Sequence, residues 1–164
     1  MATSRDLDFS EYFAARVQRF RRVAFALCGD WHAAEDLVQT MFVQLYRRWR
    51  RVRPDTVDAY ARRILLNLFL AGQRRSGREY VTSFVPDTAS LPSRDTSLRL
   101  DVERALAGLT PRQRAMVVLR FLEDLPVTEV AALLGVAEGT VKSQTARGVE
   151  ALRAALPAPT TEES

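Results

Sequence analysis

The sequence predicts an all-α fold of two small helical domains joined by a flexible linker. In both halves of the 164-residue chain, apolar residues recur at steps of three and four, the spacing of one helical face. No stretch alternates as a strand does, and residues 76–96 lose all apolar periodicity. We therefore expect an N-terminal tail over 1–9, a first domain over 10–75, a linker over 76–96, a second domain over 97–156 and a disordered tail over 157–164.

The first domain contains three predicted helices, over about 9–27, 31–49 and 55–75. Asp30 is placed to cap the second helix, because its carboxylate can accept the unpaired amides of the first turn. Five arginines fall within residues 47–53, just before Pro54 ends the helix. A solvated helix end whose cations favour the C-terminal dipole is the ordinary explanation of such a run.

The second domain is predicted to begin with two helices, the second capped by Thr110, and to end in a helix-turn-helix over residues 125–152. Gly135 supplies the turn, and Val141 points back at the first helix of the motif. The second helix, about 138–152, would present groups that can bond phosphates or base edges. They are Thr140, Lys142, Ser143, Gln144, Ala146 and Arg147. A helical hairpin that contacts no DNA is the alternative.

Composition argues against an enzyme. One histidine, His32, and one cysteine, Cys28, cannot build a metal cluster or a nucleophilic triad, and the seven glycines form no phosphate-binding loop. The acidic pair at Glu123 and Asp124 is adjacent, so its carboxylates point apart on a helix. We expect no catalytic residue, no metal and no cofactor.

The chain has no apolar run of 18 residues and no signal peptide, so we expect a soluble, cytoplasmic protein without membrane insertion. Its net charge of +4 is uneven: residues 1–75 hold 14 arginines against 8 acids, whereas residues 101–164 hold 7 basic residues against 9 acids. The basic half is thus the one without the helix-turn-helix, which indicates a nucleic-acid partner there as well.

Four motifs occur in an order that resembles the extracytoplasmic-function (ECF) RNA polymerase sigma factors of the sigma-70 superfamily, and within them the actinobacterial sigma-E family. They are AEDLVQTMF at 34–42, DAYARRILLN at 58–67, LTPRQRAMVVLRFLEDL at 109–125 and GTVKSQTARG at 139–148. The resemblance covers roughly residues 10–155. It implies an alternative sigma factor that binds RNA polymerase core and promotes transcription initiation at promoter DNA.

The resemblance assigns two jobs to the first domain, sigma region 2. One is to bind the clamp helices of the polymerase β′ subunit, through residues Asp36, Leu37, Gln39 and Phe42. The other is to grip the single-stranded minus-10 element and hold a flipped base, chemistry that suits stacking, amide contacts and cations. The residues implied are Arg50, Arg51, Arg53, Tyr60, Arg63, Ile64 and Asn67.

The second domain, sigma region 4, would read the minus-35 element as a duplex and meet the β flap. The residues implied in duplex contact are Thr140, Lys142, Ser143, Ala146 and Arg147; Lys142 is the only lysine of the chain. An anti-sigma factor is a further partner that the resemblance implies.

The chain departs from the family pattern at both helix starts of the motif. Pro126 and Ala137 stand where a serine is usual, and each lost cap costs about 1 kcal/mol unless Thr128 or Thr140 compensates. In the first domain, Ala71 replaces a common aspartate and Gly72 interrupts the helix, so contacts beyond Leu70 are not implied.

Two other functions are compatible with parts of the sequence. A LuxR-type helix-turn-helix regulator shares the pattern of the second domain, but its usual receiver domain needs strands and an acidic pocket that residues 1–75 do not offer. A helical adaptor that never touches DNA would need neither Lys142 nor Arg147.

Overall fold

The computed structural model describes residues 3–76 and 94–156, and every regular element within them is helical. The first half consists of α1 (Ser4–Cys28), α2 (Trp31–Arg47), a 3-10 turn (Pro54–Thr56) and α3 (Val57–Ser76). The second half consists of α4 (Arg94–Ala107), α5 (Pro111–Val117), a π-helical turn (Val118–Leu122), α6 (Val127–Leu134) and α7 (Glu138–Ala155). The all-α prediction is confirmed. Residues 77–93 of the predicted linker and the predicted tail at 157–164 lie outside the described residues.

Helix α1 begins earlier than expected, so the predicted tail over 1–9 is wrong from Ser4 onward. Thr3 and Asp6 form a capping box, in which the Thr3 hydroxyl accepts the Asp6 amide and the Asp6 carboxylate accepts the Thr3 amide at 3.0 Å. Phe9 then packs edge-on against three aromatic rings at centroid distances from 5.0 to 6.2 Å. Those rings belong to Phe42, Tyr46 and Trp49. Capping and aromatic burial together account for the extra length, about one and a half turns.

The turn between α1 and α2 follows the sequence prediction. Gly29 adopts the left-handed conformation (φ 71°) that ends α1, and its amide donates to the Phe25 carbonyl at 2.8 Å. The Asp30 carboxylate accepts the amides of the first turn of α2, at 3.1 Å from His32 and 3.4 Å from Ala33. Asp30 is therefore the predicted cap.

The helix-turn-helix forms as predicted. Thr110 caps α5 in a second capping box with Gln113, and Gly135 ends α6 in the left-handed conformation at φ 66°. Val141 is fully buried, and Gly148 lies so close to α5 that a Cβ atom there would come within 2.8 Å of Val117 Cγ2. The close approach of α7 to α5 therefore depends on glycine at this position.

The two halves pack against each other, which the sequence does not predict. One continuous buried core includes residues of α1, α2 and α3 together with residues of α5, α6 and α7. Arg114 of α5 crosses the boundary and donates to the Leu27 carbonyl of α1 at 2.7 Å. Burial lowers the pKa of the Arg114 guanidinium. The two predicted domains are thus packed against each other in this structure.

We predict that Gly148→Ala destabilises the protein. The added Cβ would overpack the α5–α7 contact, and the free energy of unfolding should fall by about 1–3 kcal/mol. Urea unfolding followed by far-UV circular dichroism measures this change.

Gly139→Ala is the matched control, because Gly139 lies in the same helix and a Cβ there meets nothing within 4 Å. The alanine should leave stability unchanged or raise it by up to about 1 kcal/mol. Equal effects of the two substitutions would show that α7 does not depend on close packing at Gly148.

Candidate functional site

Helix α7 has an apolar face against the protein and a polar face toward solvent. Its buried residues are Val141, Thr145 and Gly148, at helical spacing. All five residues predicted to contact duplex DNA are exposed: Thr140, Lys142, Ser143, Ala146 and Arg147. Neither Lys142 nor Arg147 forms an ion pair within residues 3–76 and 94–156. The structure thus brings these side chains together on one solvent-facing surface.

Gln144 does not belong to this surface, which corrects its predicted outward position. It is half-buried, and its carbonyl oxygen accepts a hydrogen bond of 2.9 Å from the Gln113 amide nitrogen. Gln113 also completes the capping box of α5, so the contact ties α7 to the start of that helix. Gln144 positions the helix rather than presenting a group to a partner.

The helices of the motif start without side-chain caps, as Pro126 and Ala137 predict. No side chain bonds the first-turn amides at the start of α6 or of α7. The Thr140 amide donates to the Ala137 carbonyl at 3.0 Å. The two amides before it, those of Glu138 and Gly139, therefore remain donors for an external acceptor such as a phosphate.

A strongly basic segment separates α2 from α3. Its arginines are exposed: Arg47, Arg48, Arg50, Arg51 and Arg53. The ion pair that these arginines form is between Arg53 and Asp55, at 3.9 Å. Both side chains are more than two-thirds exposed, so solvent screens the interaction. The arginines of α1 differ, because Arg16 and Arg21 pair with acids of the first half. The unpaired positive charge is concentrated at the α2–α3 connection.

The predicted minus-10 residues of α3 fall into two groups. Arg63 and Asn67 are exposed four residues apart, one turn along the same side of the helix, and Tyr60 is half-buried beside them. Ile64 is only 8% exposed and belongs to the core in this structure, and its contact with DNA stays a prediction. Its apolar side chain packs inside and leaves the surface of α3 to its polar neighbours.

An ion-pair cluster fixes the start of α3 on α1. The Asp58 carboxylate accepts the Tyr12 hydroxyl at 2.7 Å and the Arg16 guanidinium at 3.1 Å. Burial and the hydrogen bond to Asp58 raise the pKa of Tyr12. Burial alone would raise the pKa of Asp58, but the Tyr12 and Arg16 contacts outweigh it and hold that pKa below its usual value. The carboxylate therefore stays charged and orients the first turn of α3.

The predicted polymerase-binding residues of α2 also differ in their exposure to solvent. Asp36 and Gln39 are exposed and Leu37 is half-buried. Phe42 is 4% exposed, with its ring 4.7 Å from that of Phe13. The aromatic cluster between α1 and α2 encloses Phe42 in this structure, and its contact with polymerase stays a prediction.

Glu123 is the functional candidate that the sequence reading missed. Its adjacency to Asp124 in the sequence indicates no function, yet its side chain is only 2% exposed and bonds two arginines of the other half, Arg19 and Arg62. These partners lie 104 and 61 residues away in sequence, so no local pattern could have identified them.

The remaining candidates behave as ordinary structural residues. His32 is exposed in the first turn of α2, and burial raises the pKa of the half-buried Cys28 thiol to about 11. Among the described residues, no group of three metal-ligating side chains occurs. Within the same residues, no helix is long and apolar enough to cross a membrane.

Two regions of the chain match protein families. Residues 13–79 match the family described as Sigma-70 region 2, and residues 99–152 match the family described as Sigma-70, region 4. The first match contains α2 and α3, and the second contains the helix-turn-helix.

Curated relatives carry the same assignment over most of the chain. The RNA polymerase sigma-E factor of Streptomyces avermitilis is 37% identical over 162 residues, which are 95% of this chain and 89% of that protein. The sigma-E factor of Streptomyces coelicolor is 37% identical, with 92% and 86% covered. The ECF sigma factor SigE of Mycolicibacterium smegmatis is 36% identical over 88% of this chain, which spans only 60% of that relative's length.

Solved structures agree in fold. The sigma factor RpoE of Bartonella quintana, determined in complex with the anti-sigma factor NepR, is 29% identical with a TM-score of 0.74 over 90% of this chain and 96% of that one. CnrH, determined with the cytosolic domain of CnrY, is 23% identical with a TM-score of 0.66 and shows the fold alone. With both sigma regions present in order and two Streptomyces relatives at 37% identity aligned over 86–89% of their length, the chain belongs to the ECF RNA polymerase sigma factors of the sigma-70 superfamily, in the group of the sigma-E factors.

Proposed function

We propose that this sigma factor binds RNA polymerase core through α2 and reads a promoter at two places. The minus-10 element would be read as a single strand by the basic segment and α3, and the minus-35 element as a duplex by α7. One observation carries the proposal: two polar surfaces of different chemistry lie on helices that match region 2 and region 4. A sigma factor is a transcription initiation factor rather than an enzyme.

The chemistry of each surface suits its proposed target. Exposed arginines at the α2–α3 connection attract phosphates, and the Asn67 amide and Tyr60 ring on α3 can bond and stack unpaired bases. On α7, hydroxyls and two cations fit phosphates and base edges in a major groove. Small Ala146 lets the helix approach the bases closely. Asp36, Leu37 and Gln39 on α2 form a separate surface for the β′ clamp helices, and region 4 would also meet the β flap.

We infer an anti-sigma partner as well, because the fold matches that of RpoE, which was determined with an anti-sigma factor bound. Because its proposed partners are RNA polymerase and promoter DNA, we expect the protein to act in the cytoplasm. A LuxR-type regulator is not favoured, since the first half matches sigma region 2.

The direct test is transcription in vitro with purified polymerase core and a promoter library. We predict that the protein gives core enzyme a new promoter preference and that pull-down recovers the β′ subunit. If no promoter gains activity over core alone and β′ is not recovered, the proposal fails.

Lys142→Ala and Arg147→Ala should each weaken binding of the holoenzyme to the selected promoter. A lost contact to a base edge is worth about 1–3 kcal/mol, or roughly 5- to 150-fold in affinity at fixed salt. Electrophoretic mobility shift at constant ionic strength measures the effect.

Arg153→Ala is the matched control, because Arg153 is exposed on the same helix but lies beyond the residues that match region 4. Its loss should change affinity little. An equal loss in all three variants would mean that α7 contributes only general positive charge.

Asn67→Ala should impair opening of the minus-10 strand while leaving polymerase binding intact, because the amide is proposed to contact an unpaired base. Permanganate reactivity of the opened promoter and affinity for core are the two readouts. The reciprocal variant, Asp36→Ala with Gln39→Ala, should weaken core binding at unchanged helical content.

Gln44→Ala, exposed on α2 about two turns beyond Asp36 and not among the residues proposed to bind polymerase, is the control for the second variant and should bind core normally. If Asn67→Ala reduced core binding and strand opening equally, Asn67 would belong to the fold rather than to the DNA contact.

A further inference from the structure

We propose that the structure is a closed state of this sigma factor, in which Glu123 locks the second half over the start of α3 and withholds Tyr60 from DNA. The inference rests on the proposed function of that face in reading the minus-10 element. We use "Glu123 lock" for the ion pairs of Glu123 with Arg19 and Arg62.

The lock joins three elements through one carboxylate. Arg19 of α1 donates from Nε to one Glu123 oxygen at 2.8 Å, and Arg62 of α3 donates from Nε to the other at 3.3 Å. Glu123 directly follows the π-helical turn of the second half. Both oxygens are thus bonded across the boundary between the halves.

Among the ion pairs of the described residues, Glu123 pairs only with arginines of the first half. Arg120 is close in sequence, but its guanidinium donates to the Leu125 carbonyl at 2.7 Å instead. A carboxylate that is 2% exposed needs partners, because an unpaired buried charge is costly. When the halves separate, Glu123 and both arginines regain water, so the open state remains accessible.

Arg114 makes a second connection between the two halves. Its guanidinium donates to the carbonyls of Leu106 and Leu109 in its own half, at 2.8 and 3.0 Å, and to the Leu27 carbonyl of α1 at 2.7 Å. The bond to Leu27 ties α5 to α1 through a neutral acceptor, and the lock adds the charged pairs.

Closure places α6 opposite the proposed minus-10 face. A cleft of about 510 Å³ has Tyr60, Arg62 and Arg63 of α3 on one wall and Glu129 and Leu133 of α6 on the other. A DNA strand would have to enter between the helices and pass the Glu129 carboxylate. The first helix of the helix-turn-helix therefore covers part of the surface that region 2 needs.

The size of the closed molecule gives an independent reason for opening. The minus-35 and minus-10 elements lie about 25 base pairs apart, or about 85 Å of duplex at 3.4 Å per base pair. A compact chain of 164 residues has a radius of gyration of about 15 Å and is about 40 Å across. The closed state cannot reach both elements, so promoter recognition requires the two halves to separate.

The test compares the full chain with Glu123→Gln and Arg19→Ala by small-angle X-ray scattering, with hydroxyl-radical footprinting of Tyr60. Arg19 is 44% exposed, so its replacement leaves little void and guards against misfolding of the Glu123 variant. We expect a wild-type radius of gyration near 15 Å, the value for a compact chain of this length. Both variants should show a rise of several ångströms at unchanged helical content, with faster oxidation of Tyr60.

Two internal references sharpen the result. Arg22→Ala, exposed on the same helix as Arg19 and outside the lock, should keep the wild-type dimensions. Tyr46, exposed on α2 away from the cleft, should oxidise at the same rate in all proteins. An expanded wild-type protein, or lock variants with unchanged dimensions and unchanged Tyr60 oxidation, would overturn the closed state.

Neither readout involves DNA, so the lock and the proposed function can fail separately. Opening of the lock variants without any promoter-directed transcription would support the closed state and reject the minus-10 assignment. If the protein supports promoter-directed transcription but the lock variants stay compact, the proposed function is supported and the closed state is rejected.

Discussion

A buried carboxylate that depends on arginines from another part of the chain holds this molecule together as one body. Glu123 meets Arg19 and Arg62 at the point where α1, α3 and the second half converge. Apolar packing around it is continuous across both halves, but packing alone does not specify one orientation. The ion pairs restrict the arrangement to the one in which Glu123 has partners. In this arrangement α6 faces the start of α3 across the cleft that Tyr60 and Glu129 line.

Helical periodicity determines which side chains remain for partners. Each helix buries one face, and the residues proposed to bind polymerase or DNA lie on the opposite face. The two DNA surfaces differ in chemistry because their targets differ. The arginine-rich connection and α3 offer charge, an aromatic ring and an amide for a separated strand, whereas α7 offers short polar groups for a groove. The uncapped starts of α6 and α7 leave backbone amides for phosphates, at a cost in isolated stability.

Local patterns were enough to predict most of the fold. The apolar spacing gave the helices, and Asp30, Thr110 and Gly135 marked helix ends correctly because capping depends on residues within one turn. Exposure of Lys142, Arg147, Arg63 and Asn67 followed from the same periodicity. The residue roles themselves came from resemblance and remain proposals.

Predictions failed where distant residues decide the outcome. Gln144, predicted to point outward, is turned inward by Gln113. The start of α1 depends on Phe9 meeting the rings of Tyr46 in α2 and of Trp49 just after it, about forty residues away. The contact between the halves depends on partners of Glu123 that are 61 and 104 residues distant. Such tertiary contacts leave no periodic signal in the sequence.

The central claim is that one chain contacts a promoter at two separate elements through two different helices. Photo-crosslinking measures this most directly, with a photoreactive residue placed at position 142 or at position 67 in the holoenzyme bound to its promoter. The account predicts crosslinks from position 142 to duplex near minus-35 and from position 67 to the non-template strand near minus-10. Crosslinks from both positions to the same element, or none to DNA from position 67, would contradict it.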